Sequence, residues 1–234
     1  MKKKLNKQTI LVRTYFAAME LFKSSNAGRW SEVLSSYETL IKSHPKPNLI
    51  SLDHFYRNDL PNLLHHRNPN PYITADELSK LMQWKLARGK WRPRLLAFVS
   101  SLSDDVVRAA SGKAFDSLPD VAKAVSELTV LKGVGPATAS AVLAAYSPDV
   151  APFMSDEAME AAVGDAKDYS LKRYLQFVEK IQAKAEELST LKEPFTPSDV
   201  ERALWAAAMG SKSTTSSSKT DEVKLDKKSK RKRK

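Results

Sequence analysis

Two clusters of residues in this 234-residue chain have types and spacing suited to chemistry. The first is Leu131-Lys-Gly-Val-Gly-Pro-Ala-Thr138, with Ser155-Asp-Glu157 following it. Gly133 and Gly135 stand between apolar helical runs, where the backbone must turn sharply and admit close approach. Pro136 suits the first turn of the next helix, because its missing N–H would have no intrahelical partner there. Such a hairpin turns the unpaired amides of a helix start outward, where they bind phosphate oxygens. The expected contacts are Lys132 and the backbone of Gly133, Val134, Gly135, Ala137 and Thr138. Asp156 is either a fixed carboxylate that stabilises developing positive charge or an acidic residue favoured at a helix start by the dipole. Glu157 is the second candidate for either role.

The second cluster is Trp84-Lys-Leu-Ala-Arg-Gly-Lys-Trp-Arg-Pro-Arg94, which packs five cations, two indoles and a glycine into eleven residues. Gly89 is expected to close one helix and Pro93 to open the next. Cations interleaved with aromatics hold phosphate and stack on bases, which nominates Lys85, Arg88, Lys90 and Arg92. The competing reading makes Trp84 and Trp91 core anchors, the preferred assignment for the indoles, and the cations ordinary surface.

The pattern Leu131-x-Gly133-Val134-Gly135-Pro136-x-Thr138-Ala139-x-x-Val142 resembles the helix-hairpin-helix (HhH-GPD) DNA glycosylase superfamily. Pro136 and the Thr138-Ala139 pair are most similar to its alkyladenine glycosylase branch. The resemblance spans residues 117–163 directly and implies double-stranded DNA as the partner. It also implies a catalytic aspartate beyond the second hairpin helix, a position held by Asp156. A carboxylate beneath the sugar would stabilise the charge that builds as an N-glycosidic bond breaks. Bifunctional members carry a lysine two residues after the second hairpin glycine. Ala137 stands there, so the resemblance implies a monofunctional enzyme that leaves an abasic site in an uncut strand. Members also hold a monovalent cation with hairpin carbonyls, which correspond to Thr129, Leu131 and Val134. No other cofactor is implied.

The elements that position these residues read as helices. Apolar residues at Ile10, Tyr15, Phe16, Met19 and Phe22, then at Trp30, Val33, Leu34, Tyr37 and Ile41, predict two helices over residues 8–44, separated at Ser24–Gly28. A short apolar segment follows at 49–56, and then a proline loop at Asn68–Pro71. Thr74-Ala-Asp-Glu77 has the form of a capping box. Ser103 and the Ser117–Asp120 segment open further helices, the second leading into the hairpin of residues 117–146. Beyond Asp156, Gly164 ends a short helix. Leu171, Tyr174, Leu175, Val178, Ile181, Ala185 and Leu188 form the stripe of a long one, and Thr196 caps the last. No alternating strand pattern occurs. The expected fold is all-α: a two-lobed helical domain over residues 8–210 between basic tails at 1–7 and 211–234.

The net charge of +11 lies in those tails. Residues 211–234 hold ten Lys/Arg against three Asp/Glu, Lys2, Lys3, Lys4 and Lys7 add four more cations, and residues 8–210 balance at twenty-four of each sign. The C-terminal run is too polar to bury a core, and Lys227–Lys234 has the composition of a nuclear localisation signal. No segment is apolar for a membrane-spanning length, so a soluble nuclear monomer is expected. Without cysteine the chain has no disulfide, thiolate nucleophile or cysteine-ligated cluster. Gly133-Val-Gly135 lacks the Lys-Ser/Thr of a phosphate-binding nucleotide loop, and His65-His66 alone is a weak metal signal. Three functions remain open: a base-excision glycosylase, a non-catalytic hairpin protein that binds DNA or a partner, and a helical interaction domain.

Overall fold

In the computed structural model, residues 7–164, 167–189 and 194–211 are described, with side chains from Tyr15 onward. The expected tails lie outside that range except for Lys7 and Ser211, which are both helical. The chain is all-α, with no strand among the described residues. In order the helices are α1 (Lys7–Phe22), α2 (Ala27–Ser35), α3 (Tyr37–Lys42), α4 (Asn48–His54), α5 (Leu60–His66), α6 (Ala75–Arg88), α7 (Pro93–Ser100), α8 (Asp104–Asp116), α9 (Val121–Thr129), α10 (Pro136–Tyr146), α11 (Asp156–Val163) and α12 (Leu171–Leu188). A last helix, α13, covers residues 197–211. The buried apolar residues from Ala18 to Ala208 form one continuous cluster.

Local chemistry explains most boundaries. Asn26, Asp120, Ser155 and Ser170 each accept an amide of the first turn of α2, α9, α11 and α12. Thr74 and Glu77 make the reciprocal bonds of a capping box at the start of α6. Thr196 and Asp199 do the same ahead of α13: Asp199 N–H donates to Thr196 Oγ1, and Thr196 N–H donates to Asp199 Oδ2. The stripe of α12 is buried nearly as its spacing predicts, through Tyr174, Val178, Ile181, Ala185 and Leu188.

Three expectations change. The 8–44 segment is three helices, because the chain breaks again at Ser36, the junction of α2 and α3. Among the described side chains of α1, Ala18 and Leu21 are buried, while Phe16 is 60% exposed. The apolar segment at 49–56 is the start of a helical run reaching His66, continued through a π-helical turn at Phe55–Asp59. Pro61 accounts for that turn: its ring would crowd a carbonyl one turn back, and the widened turn lets Leu60 N–H reach the carbonyl of Phe55.

Candidate active site

The hairpin forms as its glycines require. Gly133 has φ +87°, and a Cβ there would lie 2.8 Å from Phe98 Cβ, so α7 packs directly onto the turn. Gly135 is different in kind. It has the ordinary φ of −103° of an N-cap, and nothing lies within 4 Å of where its Cβ would be. The first glycine closes the fold, and the second leaves open space before α10.

The amides at that helix start are not equivalent. Thr138 N–H donates to the Gly135 carbonyl at 2.8 Å and Val134 N–H to the Leu131 carbonyl at 3.0 Å, so neither is free for a ligand. The Thr138 and Val134 side chains are also buried. This corrects the expectation that their backbone meets phosphate. Among the described residues the amides of Gly135 and Ala137 remain unpaired, and these flank the open space. Lys132 is exposed beside the turn, its ammonium 4.8 Å from the centre of the Phe98 ring. Of the carbonyls expected to hold a monovalent cation, that of Thr129 ends α9 and those of Leu131 and Val134 lie in the turn. That of Leu131 accepts Val134 N–H and keeps one lone pair. Among the described residues no three His, Cys, Asp or Glu side chains group as a metal site, His65 and His66 included.

Asp156 is carried to the hairpin by the strap of residues 147–155. Met154 N–H donates to Ser140 Oγ (2.9 Å), Tyr174 O–H to the Pro152 carbonyl (3.0 Å) and Gln182 Nε2 to the Val150 carbonyl (2.8 Å). The strap is therefore tied to α10 and α12 before Ser155 caps α11. Asp156, in the first turn of α11, has both carboxylate oxygens occupied. Tyr169 O–H donates to Oδ1 at 2.6 Å, and Lys90 Nζ lies 2.6 Å from Oδ2. Burial and the bond to Asp156 push the Tyr169 phenol up, which keeps it a donor.

Lys90 comes from the cationic cluster, which forms the opposite wall. Lys46 Nζ donates to the carbonyls of Leu86 (3.2 Å) and Ala87 (2.8 Å), capping the end of α6 from outside and fixing where the chain leaves it. The segment from Gly89 to Arg92 then crosses to α7. Hairpin, strap and cationic segment enclose one half-open pocket of about 200 Å³. Its polar rim includes Lys85, Lys90, Arg92, Asp156, Glu157 and Tyr169, and its walls include Leu95, Pro136, Phe153, Met154 and Trp205. Arg92 lies 5.4 Å from the centre of the Tyr169 ring.

The four nominated cations separate. Arg88 is 3% exposed and makes a bidentate pair with Glu201 of α13, at 2.8 and 3.2 Å. Burial alone would lower its pKa, and Glu201 reverses that, leaving it raised. Its charge is consumed inside the protein, which corrects its assignment as a phosphate contact. Lys85 is half-buried, and burial pushes its amine down to about 8, with Arg92 adding to the effect and Asp156 opposing it. Lys90 and Arg92 are exposed. The indoles separate too. Trp84 is a core anchor, stacked 3.5 Å from Tyr56 with its Nε1 donating to Asp53 Oδ1 at 2.7 Å. Trp91, also expected in the core, is 61% exposed beside Lys90 and Arg92. It occupies a connecting segment, not a packed helix face.

Sequence reasoning missed Tyr169, Trp205 and Glu201. Nothing local marks Tyr169, which lies in the connection between α11 and α12 and bonds Asp156 thirteen residues earlier. Glu201 looks like one more helical acid until its position against Arg88, 113 residues earlier, is known. No family model, curated protein or solved structure matches this chain.

Proposed function

We propose that the protein is a monofunctional base-excision enzyme, which takes a damaged base out of duplex DNA and hydrolyses its N-glycosidic bond. One observation carries this reading: the hairpin, Asp156 and the cationic segment, distant in sequence, line one pocket. An apolar cavity of about 150 Å³ admits benzene, so a pocket of about 200 Å³ is of the right order for one extruded base. Enzymes that act on a base inside a duplex must flip it into such a pocket. The amides of Gly135 and Ala137, with Lys90 and Arg92, supply groups for the flanking phosphates.

In the reaction the base leaves with the electrons of the glycosidic bond, and water adds to the sugar carbon left behind. Positive charge spreads over the sugar on the way, and the Asp156 carboxylate is placed to oppose it. Lys90 occupies one oxygen of that carboxylate in the free protein. A phosphate at the pocket mouth offers Lys90 another partner, leaving the full charge of Asp156 for the sugar. The carbonyls of Thr129, Leu131 and Val134 would hold a monovalent cation behind the turn, supporting its backbone near phosphate. Lys227–Lys234 would direct the chain to the nucleus.

The occupied oxygens of Asp156 favour a second reading, a non-catalytic nuclear protein that uses the hairpin to hold DNA or a partner. One experiment separates the two. The full-length protein is incubated, without nucleotide or divalent metal, with duplexes carrying alkylated, deaminated or oxidised bases, and released base is measured. Release that makes the strand alkali-labile and is lost in Asp156→Asn supports the enzyme. Duplex binding with no release from any substrate supports the second reading.

A further inference from the structure

Of the four indoles, one has no internal use for its N–H. Trp30 Nε1 donates to the Ser24 carbonyl at 2.9 Å and Trp84 Nε1 to Asp53, while Trp91 is exposed. Trp205 is fully buried and lines the pocket, and its Nε1 meets no acceptor among the described residues. A buried donor left without an acceptor costs the fold its desolvation, a cost that a ligand atom accepting from it would remove.

The mouth of the same pocket has the opposite character. The amides of Gly135 and Ala137, unpaired among the described residues, flank the open space before α10, and Lys90 and Arg92 are exposed on the opposite wall. A helix start faced by exposed cations suits one phosphate group. Between the two ends stand Leu95, Pro136, Phe153 and Met154, apolar surfaces that suit a flat ring.

We infer that this pocket is a binding site for one free nucleoside 5′-monophosphate. Its phosphate rests on the Gly135 and Ala137 amides with Lys90 and Arg92, its ring lies between the apolar walls, and a ring nitrogen or carbonyl oxygen accepts from Trp205 Nε1–H. Every nucleobase offers such an acceptor, so the ring and the phosphate define the ligand class. Asp156 also lines the pocket, but it already carries Lys90 and the Tyr169 hydroxyl, which offsets its repulsion of the phosphate. The inference goes beyond the base-excision reading and does not rest on it. Charge points the same way: residues 8–210 carry no net charge. A duplex gains affinity from many phosphates neutralised together, whereas a mononucleotide needs only the cations at one pocket mouth.

The test uses the full-length protein with the four common deoxynucleoside 5′-monophosphates as probes. Calorimetry gives affinity, and ¹H–¹⁵N spectra follow the indole N–H signals, assigned by triple resonance. The expected result is saturable binding in which the Trp205 signal moves while those of Trp30 and Trp84 stay. Deoxynucleosides, which lack the phosphate, and deoxyribose 5-phosphate, which lacks the base, should each bind about tenfold or more weakly. Gly135→Asp and Arg92→Met should each weaken the nucleotides by a similar factor and leave the deoxynucleosides unchanged. Gly135 faces open space and Arg92 is exposed, and circular dichroism shows that both variants are folded. Deoxyribose 5-phosphate binding as tightly as the nucleotides would mean a phosphate on basic side chains only, and overturns the proposal. So does a nucleotide that binds without moving the Trp205 signal, or no binding at millimolar concentration. Base release from damaged duplexes is scored on the same preparations. Nucleotide binding without release keeps this site and rejects the enzyme, and release without nucleotide binding does the reverse.

Discussion

Asp156 receives its two contacts from opposite directions, Tyr169 beyond its own helix and Lys90 across the pocket. Each contact can be removed separately. Asp156→Asn removes a charge needed as the sugar becomes cationic, so base release should fall by a factor of 10² or more, the order lost with one electrostatic stabiliser, while duplex binding survives. Lys90→Met should leave Asp156 without its cation, which weakens binding through one lost phosphate contact but not the chemical step. Gel-shift titration and single-turnover release measure the two effects. The lowered Lys85 pKa makes a separate prediction about stability. Because the unfolded chain binds that proton more tightly than the native protein, Lys85 costs stability in full below about pH 8, and the cost fades as pH rises toward its unfolded value. Lys85→Met should therefore raise Tm at pH 7 relative to wild type, with the gain shrinking between pH 8 and about 10.4. Thermal melts of the two proteins across that range give the comparison, and a gain independent of pH would assign it to packing alone.

At the scale of elements, the hairpin assigns opposite tasks to its glycines. Gly133→Ala forces a left-handed backbone onto a residue with a Cβ and drives that Cβ into Phe98, so a loss on the order of 1–3 kcal/mol is expected by chemical denaturation. Gly135→Asp meets no steric obstacle and places a good N-cap residue before α10. Stability should be kept or improved. Its carboxylate would nevertheless sit where the Gly135 and Ala137 amides face a phosphate, so duplex binding should weaken. A variant that folds as well as wild type and binds less well isolates the hairpin as an interface; unchanged binding removes it.

For the molecule as a whole, the pair between Arg88 and Glu201 ties α6, which carries Lys85, to α13, which supplies Trp205 to the pocket. Arg88→Met leaves the buried Glu201 carboxylate with Arg57 Nη2 at 3.8 Å as its remaining cation and should cost up to about 3–5 kcal/mol, whereas Arg88→Met with Glu201→Leu should recover part of that loss. Urea unfolding of the single and double variants would show it. Under the proposed function the tails contribute positive charge. Deleting residues 212–234 should lower duplex affinity and flatten its dependence on salt, because fewer counterions are released.

What the sequence determined by itself was local. Capping residues at Thr74, Ser155 and Thr196, the apolar spacing of α12, and Gly133 two residues before Gly135 each act on neighbours a few residues away, so the all-α fold and the hairpin were legible. Asp156 and the cationic segment could be singled out by residue type, but not their meeting. That depended on a strap held by Ser140, Tyr174 and Gln182, whose bonds span up to 32 residues. The same limit explains Arg88 and Trp91. Type and spacing made Arg88 a surface cation and Trp91 a core anchor, and tertiary packing reversed both. Whether a guanidinium is buried depends on a carboxylate arriving from another helix, and whether an indole is exposed depends on the path of its loop. Side-chain environment in these cases is set by contacts that the chain makes only after its helices have packed.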